Sequence, residues 1–318
     1  MLTISPDLYP QFPIYVVSKG RSAYMITSKA LTAMGVAHYI VVEPQEVEIY
    51  QAAIDKLGLS TTVLPLDMSY KDRYETCDEF GTSKSTGAGP ARNFAWDHAL
   101  AAGFGWYWEM DDNIRDFYRL NRNLKVPCRS PAFWRAMEDF VLRYENVGMA
   151  GPNYFMFASR KTKMPPFTVN TRIYSCNLIR TDLPFRWRGR YNEDTILSLD
   201  LLKGRWATIQ FNAFLQEKMG TQVLPGGNTD EIYCVDGIKR EKGQRYADGA
   251  TTEKSDMLVR VHPDVAKVAI RFKRVHHLVD YGRFRGMELR RRPDVEVAED
   301  VNNYGMALRQ LPEAAPEA

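Results

Sequence analysis

The chain of 318 residues predicts an α/β fold, with a Rossmann-like, mostly parallel central sheet flanked by helices. Three observations predict it. Short β-branched runs alternate with helical stretches at the spacing of βαβ units through residues 14–110. Turn residues punctuate them at Ser18-Lys19-Gly20-Arg21, Glu43-Pro44 and Gly103. An acidic triplet, Asp111-Asp112-Asn113, closes one apolar run, at the carboxyl end where open α/β sheets bind their ligands.

Each element follows from local pattern. Residues 14–17 (IYVV) read as the first strand, with a helix after it to about residue 34. Residues 39–42 (YIVV) form the second strand, 45–57 a helix, and 61–66 (TTVLPL) a third strand that Pro65 weakens at its end. Residues 67–89 are long, polar and rich in Ser, Thr and Gly, which marks a functional or mobile loop. Pro90 opens a helix over 91–102 from an allowed early position, Gly103 stops it, and 104–110 is the fourth strand. The second half is less regular. It reads as a helix over 131–144, strands over 147–154 and 172–179, a helix over 193–202 with Asn192 as its N-cap, and a strand over 206–211. The expected organisation is one domain over 1–292, divided at residue 113, and an acidic, disordered tail over 293–318.

Composition narrows the class. Hydrophobic residues are 45% and charged residues 25%, as in a soluble globular protein. The net charge of +3 declares no nucleic-acid partner, but residues 260–292 hold ten Lys/Arg against three acids. That stretch suits phosphates or the solvated face of a helix. Four scattered cysteines without CxxC spacing argue against a structural zinc site or a disulfide scaffold. No signal peptide or membrane span is expected, so the expected location is cytoplasmic, with no membrane or protein partner.

Two acidic groups carry chemistry. The oxygens of Asp111, Asp112 and Asn113 suit a hard divalent ion such as Mn²⁺ or Mg²⁺, although the same residues also make an ordinary turn. Asn192-Glu193-Asp194 opens a helix. Its acids either compensate the helix dipole or present a general base. Lys19, Arg21 and Arg92 are candidate diphosphate or base contacts, and Pro225-Gly226-Gly227-Asn228 is a turn that also suits an acceptor platform. No HExxH pair occurs, which argues against a zinc hydrolase.

In this order, IYVVSKGR (14–21), YIVVEP (39–44), GPARNFAWDHA (89–99), WEMDDNI (108–114) and YNEDTILSLDLL (191–202) resemble the GT-A glycosyltransferase superfamily. WEMDDNI and YNED, followed by PGGNTDEIY (225–233) and RVHHLVDYGRF (274–284), more narrowly resemble the phage-encoded TET-associated glycosyltransferases, thought to glycosylate hydroxymethylated bases in DNA. The resemblance implies a GT-A domain whose first half, 1–113, binds a nucleotide-sugar, expected to be a UDP-sugar, and whose second half, 114–292, binds the acceptor. It implies donor contacts from Ser18, Lys19, Arg21, Glu43, Arg92, Asn93, Asp111 and Asp112. Asp111 and Asn113 match the ends of an Asp-x-Asp metal element, and Asn113 departs from the usual carboxylate there. His262, His276 or His277 would complete the metal site, with His262 taken first. Asp194, with Glu193, matches the base of inverting members. Arg188, Arg190, Gly226 and Gly227 would face an acceptor, expected to be 5-hydroxymethylcytosine in DNA. The rival readings are a glycosyltransferase for a glycan, lipid, protein or small-molecule acceptor, a nucleotidyltransferase, and a DNA-binding module without catalysis.

Overall fold

Strand β1 (Ile14–Val17) is buried at every position, because both faces of the sheet are covered. Successive side chains point to opposite faces. Ile14 and Val16 pack with Leu31, Tyr50, Ile54, Trp134 and Met137. Tyr15 and Val17 pack with Trp96, Ala99, Leu197 and Leu201 on the other side. The computed structural model describes residues 6–80, 84–159, 164–220, 224–227, 232, 248–271 and 274–296.

Helix α1 (Ile26–Ala33) leads to β2 (His38–Val42), α2 (Val47–Leu57) to β3 (Thr61–Pro65), and a short α3 (Ser69–Asp72) precedes α4 (Gly89–Ala101) and β4 (Trp106–Asp111). Gly58, left-handed at φ 61°, ends α2 as glycine commonly does. Then come β5 (Ile114–Asn121), β6 (Leu124–Pro127), α5 (Ala132–Val141), β7 (Val147–Tyr154), β8 (Phe167–Val169), β9 (Cys176–Arg180), α6 (Glu193–Lys203) and β10 (Ala207–Lys218). One sheet runs β3-β2-β1-β4-β9-β7-β10-β5-β6, with β8 also on β10. The pairs β3/β2, β2/β1, β1/β4 and β7/β10 are parallel, and the others are antiparallel. Helices α1, α2 and α5 cover one face and α4 and α6 the other, which is the α/β architecture the sequence predicts.

Helix α7 (Asp248–Val261) and a hairpin of β11 (Ala266–Arg271) and β12 (Arg274–Val279) add a third apolar cluster, in which Met257, Leu258 and Val265 meet Tyr191, Ile196 and Leu199. The basic stretch is therefore not one helix face. Its later part runs along the sheet end that lies away from Asp111. The Arg290 carbonyl accepts from Glu145 N–H, Arg292 N–H donates to the Arg143 carbonyl, and the Glu288 carbonyl accepts from Asn146 Nδ2 at 2.9 Å, all just before β7 begins. The expected tail lies outside the described residues from 297 onward, as do Asn228 and most of the run after it. Among the described residues, no helix is long and apolar enough to cross a membrane.

Candidate active site

The strand order reverses at β1, which has β2 on one side and β4 on the other, and a crevice opens at the carboxyl ends of the two central strands. Val17 pairs with Asp111, so Ser18 and Asp112 leave the sheet side by side. The Ser18 hydroxyl donates to Asp112 Oδ2 at 2.6 Å, and Arg21 Nη1 donates to Oδ1 at 2.6 Å. Thr27, in the first turn of α1, fixes the acidic turn from behind. Its hydroxyl donates to the Asp111 carbonyl at 2.6 Å and accepts from Ile114 N–H at 2.9 Å. The resulting cleft has a volume of about 330 Å³ and is lined by Lys19, Glu43, Asp111, Asp194, Tyr174 and Lys218, among others.

Arg92, on the first turns of α4 and 2% exposed, is the hub of the cleft. Its Nη2 donates to Asp111 Oδ1 at 2.7 Å and its Nη1 to Asp194 Oδ1 at 2.9 Å. Glu193 Oε1 lies 3.7 Å from Nη2, and Glu109 Oε1 lies 3.2 Å from Nε without an aligned hydrogen bond. The Trp187 ring covers the guanidinium at 4.7 Å. One cation thus ties the strand-end acid to the helix-start acids. Lys218 takes the other oxygen of Asp111, with Nζ at 2.5 Å from Oδ2 and 2.8 Å from the Ser175 hydroxyl.

These partners separate the acids. Burial works to raise Asp111, but Lys218 and Arg92 outweigh it and hold the carboxyl well below its ordinary range. Glu43 is likewise opposed by burial, yet the Lys19 ammonium at 2.8 Å, Lys71 and Gln45 pull it down to about 2. Asp194 goes the other way. Burial pushes it up to about 6, Arg92 offsets part of that, and Glu193 and Asp111 add to it. Burial also raises Glu109 to about 8 against the pull of Arg92.

At the Asp194 end, Tyr154 and Tyr174 line the cleft as a stacked pair, with centroids 5.7 Å apart and planes at 10°. The Tyr154 hydroxyl shares a 2.7 Å hydrogen bond with the Ser175 hydroxyl. Lys254 and His277 complete this wall.

Several expected site residues are elsewhere. Asn93 does not line the cleft, because its amide makes two 2.9 Å hydrogen bonds to the Trp187 backbone and so holds that loop. Arg190 is wholly buried, paired with Asp78 at 2.7 Å and donating to the Lys84 and Ser85 carbonyls, so it offers no surface to a phosphate. Arg188 grips Asp200 with two 2.9 Å hydrogen bonds, away from the cleft. His262 is 2% exposed beside Lys203 and Asp200 and lies outside the cleft, which corrects its expected metal role. Gly226 and Gly227 meet the donor-side turn instead of a separate acceptor platform. Both have positive φ, and the Pro225 and Gly226 carbonyls accept from Arg21 at 3.1 and 2.9 Å. Asn192 does not cap α6 with its side chain. It sits left-handed at φ 56° and its Nδ2 donates to the Lys254 carbonyl at 2.7 Å, which ties α6 to α7.

Residues 12–227, about two-thirds of the chain, match the family of TET-associated glycosyltransferases. The chain belongs to that family. Membership makes it a glycosyltransferase, and Ser18, Arg92, Asp111 and Asp194 all fall inside the matched span. No curated protein matches it. Among solved structures, an inositol-1-phosphate CTP transferase from T. maritima aligns at 9% identity and a TM-score of 0.33, covering 65% of this chain and 88% of that one.

The residues of this glycosyltransferase do not fit a divalent ion at the acidic turn. Each of the four carboxylate oxygens of Asp111 and Asp112 already accepts from Arg92, Lys218, Arg21 or Ser18. Asn113 lines the cleft with an unpartnered Oδ1, but one neutral oxygen alone does not make the several-oxygen set that a hard divalent ion takes. Lys71, Lys218, Tyr154, Tyr174, Ser175 and Lys254 had no signal in their own neighbourhoods, because long-range pairing brings them here. Glu109 had one: it is a lone acid inside the apolar run WYWEM, where a buried charge calls for a partner.

Proposed function

We propose that this glycosyltransferase moves a sugar from a nucleotide-sugar, a UDP-sugar, to the hydroxymethyl oxygen of a 5-hydroxymethylpyrimidine in DNA, with 5-hydroxymethylcytosine as the acceptor to test first. The observation that carries the reading is the Arg92 bridge between Asp111 and Asp194. It holds a fixed anion beside the cationic end of the cleft and a proton-accepting acid at the other end.

The donor lies along Ser18–Arg21, with its nucleoside toward Glu43 and Lys71 and its diphosphate toward Arg21 and Lys218. Asp194, shifted to about 6, is a carboxylate at neutral pH with a pKa close to the working range of a general base. It takes the proton of the acceptor hydroxyl. That oxygen bonds to the anomeric carbon as the carbon's bond to the diphosphate breaks, and nucleoside diphosphate leaves with the electron pair. The stacked Tyr154–Tyr174 pair supports a flat acceptor, such as a base turned out of a duplex.

Purified protein, a panel of nucleotide-sugars and DNA with or without 5-hydroxymethylcytosine test this, read by nucleoside mass spectrometry. A hexose-sized mass gain on the modified base alone is expected. Sugar transfer to other hydroxyl compounds but never to DNA would move the acceptor. Nucleoside triphosphate consumption with pyrophosphate release would point to nucleotidyl transfer.

A further inference from the structure

The strand that delivers Lys218 is built to reach the acidic turn. β10 runs antiparallel to β5, pairing Gln216 with Phe117 and Glu217 with Asp116. The next residue, Lys218, pairs with Ile114, so the register shifts between Glu217 and Lys218. Such an irregularity re-aims a side chain and is common beside active sites. Glu217 stays on the Tyr118 hydroxyl at 2.8 Å, while Met219 N–H donates to the Asn113 carbonyl at 2.9 Å. The chain is therefore pinned on both sides of Lys218, and the ammonium is held over Asp111.

An ammonium has three N–H donors. Asp111 and Ser175 accept two of them. The side chain is 18% exposed and lines the cleft, and hydrogen-bond partners among the described residues account for two donors, which leaves one N–H for a ligand oxygen. The neighbouring cations are more heavily engaged: Arg92 by several carboxylates, and Arg21 by Asp112 and the Pro225–Gly226 carbonyls. A divalent ion on Asp111 would have to displace Lys218 from Oδ2, against the attraction between opposite charges in a buried setting.

We infer that Lys218 is the cation that receives the donor's diphosphate, so that this chain binds and releases a nucleoside diphosphate without a divalent metal ion. The inference rests on the nucleotide-sugar reading above. As the bond from the anomeric carbon to the diphosphate breaks, the departing oxygen keeps both electrons. Lys218, anchored by Asp111, donates to the diphosphate and neutralises that growing charge, while the acceptor proton goes to Asp194. A lysine is well suited to phosphate as a point charge. Preorganised donors at a developing charge are a large contribution to catalysis.

The test is calorimetric binding of UDP, ADP, GDP and CDP to the full chain, first in EDTA and then with Mn²⁺. Wild-type protein is expected to bind one of them in EDTA, and no more tightly when Mn²⁺ is added. Lys218→Met should weaken that binding in EDTA by about 10- to 100-fold, the span of a lost hydrogen bond to a charged group. It should also gain a response to Mn²⁺, because Asp111 Oδ2 becomes accessible. Lys218→Arg keeps a positive charge at the site and should retain most of the EDTA affinity, which separates charge loss from misfolding. Wild-type binding that appears only with Mn²⁺ overturns the role of Lys218 and leaves the glycosyltransferase reading standing. Unchanged affinity in a folded Lys218→Met protein does the same. No binding of any of the four nucleotides in either buffer overturns both.

Discussion

Glu43 and Asp111 at one end of the cleft and Asp194 at the other are shifted in opposite directions. At the β1–β4 end, acids are met by ammonium and guanidinium groups: Glu43 by Lys19 and Lys71, Asp112 by Arg21, and Asp111 by Lys218 and Arg92. At the α6 end, Glu193 and Asp194 share Arg92 with Asp111. The first arrangement pulls Glu43 down to about 2 and holds Asp111 low, although burial raises Asp112 against the pull of Arg21, while the second leaves Asp194 at about 6. Acids whose environments drive their pKa values apart have different jobs. Glu43 and Asp111, the low ones, stay ionised and hold their cations at the cleft. On the proposed reading, Asp194 exchanges a proton near neutral pH.

The largest effect expected from breaking this division is at Asp194. Asp194→Asn keeps the shape and an oxygen for Arg92 but cannot take a proton. Turnover should fall by about 10²- to 10⁴-fold, the usual worth of a general base, while donor affinity stays close to wild type. Single-turnover kinetics and calorimetry separate the two. An equal loss in both would make Asp194 a binding residue and erase the contrast between the ends.

Next in size is Arg92, which serves both ends. Arg92→Met removes the shared cation and leaves Asp111, Glu193 and Asp194 facing one another with little solvent. Breaking a buried ion pair from one side costs about 3–5 kcal/mol, a large fraction of the stability of a typical domain. Urea unfolding should show a loss of unfolding free energy of that order, read as a lower midpoint. A drop no larger than that of a surface substitution would mean that Arg92 is not the hub of the cleft.

The same contrast explains what the sequence made legible. The β1–β4 end is built from short βαβ segments, so IYVV, YIVV and the WEMDD run declared both their strands and the loops at their carboxyl ends. Ser18, Lys19, Arg21, Glu43, Arg92, Asp111 and Asp112 were read as candidates there, and all line one cleft. The other end is assembled across long separations. β5 (IRDFYRLN) breaks strict apolar/polar alternation and buries only Ile114 and Phe117 fully, so it gave a weak signal. Lys218 reaches Asp111 only through the register shift of β10, which no local pattern encodes. Arg188 and Arg190 failed in the opposite direction. Two arginines beside YNED look like a phosphate-binding surface, but Asp200 and Asp78, distant in one case by 112 residues, claim them. Charge in a sequence says that a partner is needed, and only the fold says whether that partner is internal.

The smallest effect sharpens the comparison through pH. Asp194 must be ionised to accept a proton, so activity should fall as pH drops through about 6. Below that value the acid carries a proton and cannot act as a base. Part of its rise comes from Glu193, whose negative charge opposes a second one on Asp194. Glu193→Gln removes that repulsion and leaves Arg92 free to favour the carboxylate. The acid limb of kcat/KM should therefore move to lower pH, by less than about one unit, or ~1.4 kcal/mol. The same substitution should leave the ionisation of Glu43, at the far end and fixed by Lys19 and Lys71, where it is. A limb that moves upward, or one that tracks Glu43 instead, would mean that the two ends titrate as one network.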